Sequence, residues 1–110
     1  MQKTKEIWQN GAFLPWEDAK VHVLTHALHY GDAVFEGIRT YTTSRGAAVF
    51  RLKEHLERLH YSANVIGIQI PYSVEQLTEA TTQLLKRCDL TQGYIRPLAF
   101  NGYGVMGLNP

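Results

Sequence analysis

Apolar residues recur at helical spacing in two segments of the chain. The first set is Leu56, Leu59, Ala63 and Ile66, and the second is Leu77, Ala80, Leu84, Leu85 and Cys88. Steps of three and four residues place each set on one face of a helix. This spacing predicts one helix over residues 53–66, which ends at Gly67, and a second helix after Ser73. Ser73-Val-Glu-Gln76 has the capping-box pattern, with serine as the N-cap and glutamine three residues later.

The first part of the chain predicts a hairpin and a short helical turn. Asn10-Gly11 lies between apolar arms, and it predicts a tight turn because both positions need a positive φ. Pro15 places the second arm at an edge of its sheet or at its own end. Residues 19–30 fit no single period, and we interpret them as an extended piece followed by a helical turn that Gly31 closes.

Runs of β-branched and aromatic residues predict three more strands. Residues 33–42 form the first, 47–52 return antiparallel to it after the turn 43–46, and 94–100 form the last. Two hairpins, two helices and a final strand predict an α+β fold. We expect a two-layer sandwich, with the two helices on one face of a largely antiparallel sheet.

Size, charge and composition exclude several classes of protein. The chain has 110 residues, 45% of them hydrophobic, which is enough for one domain with an apolar core. A net charge of +1 excludes binding to nucleic acid or anionic lipid through a large basic field. The single Cys88 excludes an internal disulfide and fits a reducing compartment. Because no run resembles a membrane span or a signal peptide, we expect a soluble cytoplasmic protein.

Three candidate motifs carry little weight. Gly102-x-Gly104-x-x-Gly107 follows a predicted strand, but it lacks the helix and the acidic residue that a dinucleotide site needs. The five histidines have no carboxylate or cysteine at a zinc-ligand spacing, so packing or surface roles are favoured and no metal is expected. Cys88 lies on an apolar stripe, where a free cysteine acts as a small hydrophobic residue.

Arg58 and the faces of two strands offer stronger candidates. Arg58 lies between two core leucines on the predicted helix. Its side chain is either a solvated charge or a guanidinium directed at an anion, and the sequence by itself favours the solvated charge. Tyr94 and Arg96 alternate on one strand, as Phe35 and Gly37 do on another. Each face is either solvent-exposed or the wall of a pocket, with the arginine as a carboxylate clamp. The residues leave these two interpretations about equal.

Five segments, in this order, resemble the amino-terminal domain of the branched-chain amino acid aminotransferases. They are 19–23 (AKVHV), 26–31 (HALHYG), 34–39 (VFEGIR), 55–60 (HLERLH) and 94–98 (YIRPL). These enzymes use pyridoxal 5′-phosphate and have fold type IV. The resemblance extends from about Glu6 to Pro110. The last segment favours the branched-chain enzymes over D-amino acid transaminases and aminodeoxychorismate lyases.

The resemblance implies roles for individual residues. Arg58 matches the family arginine that binds the cofactor phosphate. Phe35, Gly37 and Tyr94 match the pocket for the apolar side chain, and Arg96 matches the residue that pairs with the distal carboxylate of glutamate. The residues that match positions reaching a neighbouring subunit's active site are Tyr30, Met106 and Leu108. A homodimer or larger homo-oligomer with amino acid and 2-oxo acid substrates is therefore implied.

The resemblance also implies that the chain is incomplete as an enzyme. The glycine-rich end stops without a closing strand or helix, which suggests a cut within a loop. In the family, the lysine that binds the cofactor covalently lies in a carboxy-terminal domain, and no lysine here matches it. We therefore expect residues 1–110 to be an amino-terminal small domain that holds no catalytic residue and is inactive alone. The alternatives are another fold-type-IV enzyme or a non-catalytic binding or assembly domain.

Overall fold

The computed structural model of the chain describes residues 3–90 and 92–102. The strands are β1 (Glu6–Gln9), β2 (Ala12–Pro15), β3 (Ala33–Phe35), β4 (Ile38–Thr43), β5 (Gly46–Val49), β6 (Gly93–Ile95) and β7 (Leu98–Phe100). The helices are α1 (His26–Tyr30), α2 (Leu52–Val65) and α3 (Val74–Arg87), with a 3-10 turn over Trp16–Asp18. Every strand pair among these residues is antiparallel. The predicted α+β class is confirmed.

The amino-terminal hairpin forms as predicted. β1 pairs with β2 from Glu6 opposite Pro15 to Gln9 opposite Ala12. The turn residues Asn10 and Gly11 have φ values of 51° and 88°, the positive angles that this two-residue turn requires. Pro15 is the last residue of its strand, where its missing N–H costs no ladder hydrogen bond.

Two of the predicted strands are each broken in the middle. Residues 33–42 divide into β3 and β4, and residues 94–100 divide into β6 and β7. β3 pairs with β7, whereas β4 lies between β5 and β6, so three small sheets replace the single sheet that was expected. The breaks at 36–37 and 96–97 face each other, because Phe35 pairs with Leu98 and Ile38 with Ile95. Pro97, which cannot donate to a ladder, lies within one of them.

The predicted second strand of the next hairpin is too long. β5 ends at Val49, and Arg51, in the left-handed region at φ 51°, turns the chain into α2. The helix therefore begins at Leu52, a residue that the sequence placed in the strand. Phe50 and Arg51 are therefore the whole connection between β5 and α2.

Both long helices supply the core. Leu56 and Leu59 of α2 meet Leu77 of α3 in one buried cluster, at 1%, 3% and 9% exposure. Partly buried residues cover the cluster: Trp8, Val34, Leu52, Ile70, Tyr72 and Val74. The predicted apolar stripes are thus confirmed at their centres. Cys88 is 8% exposed at the end of α3, in agreement with its expected packing role.

The capping box of α3 gives a prediction for stability. Ser73 Oγ accepts from the Gln76 N–H at 3.1 Å, and Gln76 Oε1 accepts from the Ser73 N–H at 2.8 Å. Ser73→Ala removes one of these bonds and is expected to destabilise the protein by about 1 kcal/mol. Ser73→Thr keeps a hydroxyl, so it should destabilise the protein by only a few tenths of a kcal/mol. Urea unfolding measures the difference, and equal midpoints for the parent and both variants would contradict it.

The short helix α1 follows the interpretation of residues 19–30. It runs from His26 to Tyr30, and Gly31 closes it with φ 78°. Backbone bonds from His26 and Ala27 to the carbonyls of Gly102 and Asn101 hold it beside the end of β7. Within the described part of the chain, no helix is long and apolar enough to cross a bilayer.

Candidate functional site

The paired strand breaks bring four predicted site residues together. We call Phe35, Gly37, Tyr94 and Arg96 the aromatic–arginine patch. The Arg96 guanidinium lies 4.3 Å from the centre of the Phe35 ring and 5.5 Å from that of Tyr94. Its Nη2 donates to the Tyr94 hydroxyl at 3.1 Å. Phe35 and Tyr94 are 57% and 47% exposed, so the patch forms an open apolar wall with a cation and a hydroxyl at its rim.

Gly37 makes this arrangement possible. A Cβ at this position would lie 2.2 Å from the Tyr94 hydroxyl oxygen and 3.0 Å from the ring carbon that carries it. Both distances are below van der Waals contact, so any larger residue must displace the ring. The absence of a side chain at Gly37 therefore leaves the space that the Tyr94 hydroxyl occupies.

Among the described residues, Arg96 contacts aromatic rings and the Tyr94 hydroxyl, and no carboxylate is paired with it. A guanidinium over an aromatic face gains a modest cation–π attraction and keeps donors available for another acceptor. A carboxylate is the acceptor that matches the planar guanidinium best. The patch can therefore receive an apolar group against its rings or a carboxylate at Arg96.

On the other side of the strand break, Glu36 forms a buried charge cluster. Its carboxylate is 5% exposed and accepts from Arg58 Nε at 2.9 Å and from Arg58 Nη2 at 2.7 Å. His55 Nδ1 lies 2.7 Å from the same carboxylate. Hydrogen bonds from Arg58 lower the pKa of Glu36, with a smaller lowering from His55, and burial opposes them. The same bonds raise the pKa of Arg58.

The lowered pKa of Glu36 predicts how stability changes with pH. In the unfolded chain the carboxyl titrates near its ordinary value of 4.5, whereas in the folded protein it stays ionised to lower pH. The cluster therefore stabilises the fold fully above that value, and the contribution is lost as the pH falls through the folded pKa. Urea midpoints measured across the acid range should fall less steeply below pH 4.5 in Glu36→Gln than in the parent. Parallel curves for the two proteins would contradict this prediction, and Glu79→Gln is the control for an exposed carboxyl.

An open cavity lies beside Arg58 on the first turns of α2. Its volume is about 260 Å³, and it is lined by Arg51, Glu54, His55 and Arg58. The Arg58 side chain is 66% exposed even though Nε and Nη2 are bound to Glu36. Arg51 Nη1 pairs with Glu54 Oε2 at 3.6 Å beside this cavity. The exposed part of the Arg58 guanidinium is suited to a phosphate, which a guanidinium binds through charge and directed N–H donors.

Of the remaining predicted site residues, the structure describes only Tyr30. Tyr30 is 79% exposed on α1, where its ring packs 5.0 Å from that of His26 and 6.0 Å from that of His29. Met106 and Leu108 lie outside the described residues, as does the glycine-rich run beyond Gly102. The roles implied for them stay predictions.

The histidines bond to neighbouring groups of the protein. His26, His29 and His60 each pair a ring nitrogen with a backbone carbonyl, at 3.0, 2.8 and 2.7 Å. His55 pairs with Glu36, and His22 Nδ1 accepts from the Leu24 N–H. Across residues 3–90 and 92–102, no three groups of the metal-binding types come together.

Glu36 and His55 were missed as site residues by reasoning from the sequence. A signal for Glu36 was available, because it alternates with Phe35 and Gly37 and must point to the opposite face of the strand. A carboxylate that points into the core needs a cationic partner. Arg58 and His55, three residues apart on one helix, could supply it.

Comparison with known proteins gives consistent matches over nearly the whole chain. The family described as amino-transferase class IV matches residues 33–107. The branched-chain-amino-acid aminotransferase of Escherichia coli K12 is 50% identical over 109 residues, which are 99% of this chain and 35% of that protein. The Pseudomonas aeruginosa protein of the same name is 49% identical over 102 residues, which are 93% of this chain and 33% of that protein.

Solved structures agree with these matches. The crystal structure of the Escherichia coli enzyme superposes with a TM-score of 0.90 at 50% identity, covering 98% of this chain and 36% of that one. The branched-chain aminotransferase of Thermoproteus uzoniensis, crystallised with norvaline, superposes with a TM-score of 0.86 at 38% identity, covering 96% of this chain and 36% of that one. The chain thus spans little more than a third, 35%, of the length of the first relative it matches.

Proposed function

The chain belongs to the class IV aminotransferase family, and we propose that it is the amino-terminal small domain of a branched-chain amino acid aminotransferase. The full protein would transfer the amino group of L-leucine, L-isoleucine or L-valine to 2-oxoglutarate. The observation that carries the proposal is the aromatic–arginine patch, in which Arg96 lies 4.3 Å from the Phe35 ring and bonds the Tyr94 hydroxyl. A site that offers both an apolar wall and a cation suits two substrates of different polarity.

The division of roles follows from the chemistry of each residue. The rings of Phe35 and Tyr94, with the space at Gly37, would receive the branched side chain, which gains from leaving water. Arg96 and the Tyr94 hydroxyl would receive the distal carboxylate of glutamate or 2-oxoglutarate. Because Arg96 is exposed at the rim, it stays partly hydrated when an apolar substrate is bound, and no deeply buried charge is left unpaired.

Pyridoxal 5′-phosphate is the proposed cofactor, and Arg58 is the residue of this chain that would hold its phosphate. The donor set fits that group, because the Arg58 side chain is cationic, 66% exposed and fixed by two bonds to a buried carboxylate. When bound, the cofactor supplies the electron sink that transamination requires. No catalytic residue is assigned to this chain.

The proposal also includes an oligomeric state and a cellular location. We propose a homodimer as the minimum unit, in which the exposed Tyr30, together with Met106 and Leu108, reaches the active site of the neighbouring subunit. The protein is proposed to be cytoplasmic.

Activity measurements on two lengths of the protein test this proposal. The full-length protein with pyridoxal 5′-phosphate, L-valine and 2-oxoglutarate should form L-glutamate. Residues 1–110 alone should form none, because transamination needs a lysine to move the α-proton and no lysine in this chain matches that position. Turnover by residues 1–110, or no turnover by the full-length protein, would contradict the proposal. A preference of the full-length protein for D-alanine over L-valine would favour a D-amino acid transaminase.

A further inference from the structure

We propose that Glu36 is a positioning residue that fixes the Arg58 guanidinium for the cofactor phosphate and, through its backbone, holds the segment that carries Phe35 and Gly37. This inference rests on the proposed function, since it concerns the phosphate end of the same site. The buried carboxylate lies between the phosphate-binding arginine on one face of the strand and the aromatic–arginine patch on the other.

The side chain of Glu36 can hold Arg58 in one orientation. A free arginine has several rotatable bonds and loses considerable rotamer entropy when a ligand fixes it. In this protein Nε and Nη2 donate to both carboxylate oxygens at 2.9 and 2.7 Å, the bidentate geometry that sets the plane of the guanidinium. His55 bonds Oε1 at 2.7 Å and so fixes the carboxylate itself. The guanidinium is therefore oriented before any phosphate binds.

The exposure of the two partners is unequal. The Glu36 side chain is 5% exposed, whereas the Arg58 side chain is 66% exposed and lines the cavity on α2. A buried ion pair often stabilises a folded protein no more than apolar residues of the same size would. Here the carboxylate is buried while the cation faces an open cavity, which the ion pair of Arg51 and Glu54 also lines. That asymmetry fits a support for a binding group better than a structural core pair.

The backbone of Glu36 connects the same residue to the patch. Its N–H donates to the carbonyl of Pro97 at 3.0 Å, the hydrogen bond that spans the two strand breaks. Phe35 and Gly37 flank Glu36 on one break, and Arg96 precedes Pro97 on the other. Fixing the Glu36 side chain against α2 therefore also fixes the spacing between the residues proposed to hold the substrate.

Binding of two ligands that differ only by the phosphate tests the inference. The full-length protein, freed of cofactor, is titrated with pyridoxal 5′-phosphate and separately with pyridoxal, for Glu36→Gln and for the control Glu57→Gln. Glu57 is the exposed carboxylate next to Arg58 on the same helix. Glu36→Gln should raise the Kd for pyridoxal 5′-phosphate about 10- to 100-fold, as loss of an outer supporting partner does for metal ligands. The Kd for pyridoxal should change much less, and Glu57→Gln should match the parent for both ligands.

The ratio of the two affinities separates positioning from stability. A role in folding alone would weaken both ligands together and leave the ratio unchanged, which would overturn the inference. Equal or tighter binding of pyridoxal 5′-phosphate by Glu36→Gln would also overturn it, because Glu36 would then compete with the phosphate for Arg58. If Glu36→Gln does not fold, His55→Phe tests the same support through its second donor. His55→Phe should lower the preference for pyridoxal 5′-phosphate over pyridoxal, the Kd for pyridoxal divided by the Kd for pyridoxal 5′-phosphate, by about two- to tenfold. An unchanged preference would count against the inference.

One further variant tells the two proposals apart. Arg58→Lys keeps the charge but loses the planar guanidinium and its directed donors. It should therefore raise the Kd for pyridoxal 5′-phosphate more than the Kd for pyridoxal. If Arg58→Lys does so and Glu36→Gln does not, the phosphate role of Arg58 stands and the positioning role of Glu36 is wrong. If the parent does not bind pyridoxal 5′-phosphate more tightly than pyridoxal, the proposed function itself fails.

Discussion

Replacing Arg96 with glutamine is expected to weaken the use of L-glutamate by the full-length protein far more than the use of L-valine. Arg96 is the cation of the aromatic–arginine patch, held over the Phe35 ring and bonded to Tyr94. A hydrogen bond to a charged group contributes about 1.5–3 kcal/mol, which corresponds to roughly a 10- to 150-fold loss in kcat/KM for glutamate. L-valine has no distal carboxylate, so its kcat/KM should stay within about threefold of the parent value.

The measurement is a pair of single-turnover or steady-state rates for the two amino acids. Their ratio does not depend on the fraction of active protein in each preparation. Arg45→Gln provides the matched control, because it makes the same chemical change in the exposed turn between β4 and β5. Both kcat/KM values should be unchanged there. If Arg96→Gln lowers the two rates by the same factor, then Arg96 does not select the carboxylate and its proposed role is wrong.

Replacing Gly37 with alanine is expected to reduce kcat/KM for L-valine by about a hundredfold, the effect of misplacing a contact group by about 1 Å. The new Cβ would lie 2.2 Å from the Tyr94 hydroxyl oxygen, so the ring must move. Tyr94 is 47% exposed and can swing outward, which breaks its bond with Arg96 but leaves the core intact. The loss of stability should therefore stay below the roughly 1–3 kcal/mol that overpacking a closed core costs.

The control for this variant is Gly93→Ala. Among the described residues, a Cβ at Gly93 meets only the Thr40 hydroxyl at 4.0 Å, an ordinary contact, although the residue adjoins Tyr94 in β6. Gly93→Ala should retain the parent activity. A second test uses the Tyr94→Ala background, in which the alanine at position 37 no longer meets a ring and its extra effect should disappear. A full activity loss from Gly37→Ala in that background would contradict the steric explanation.

Local sequence signals predicted the helices and turns well. Ser73 and Gln76 form their capping box, and Asn10-Gly11 forms its turn, because each depends on residues a few positions apart. The apolar stripes of α2 and α3 likewise identify the core, since helical spacing determines which residues share a face. The α+β class followed from the order of these elements.

The strand breaks could not be predicted in the same way. The stop at 36–37 depends on the partner strand, where Pro97 interrupts the ladder much later in the chain and Glu36 instead bonds its carbonyl. Period-2 alternation continues through the break and conceals it. The start of α2 depends on a left-handed Arg51, a conformation that arginine seldom adopts and that no local signal indicates.

In the candidate site too, local spacing could be read from the sequence and tertiary contacts could not. Alternation placed Phe35 with Gly37 and Tyr94 with Arg96, but only the pairing of the strands shows that the two pairs meet. Arg58 could be identified as a candidate because of its place beside the core stripe. Its bond to Glu36, 22 positions earlier, is a tertiary contact that the sequence indicated only through a buried carboxylate in need of a partner.

A crystal structure of the full-length protein with pyridoxal 5′-phosphate and L-glutamate bound would test the proposed site as a whole. We expect the cofactor phosphate against the Arg58 guanidinium, with Arg58 still bonded to Glu36. We also expect the distal carboxylate of glutamate at Arg96 and the Tyr94 hydroxyl. Ligands bound at a place that touches neither Arg58 nor the aromatic–arginine patch would show that the proposed function of these residues is wrong.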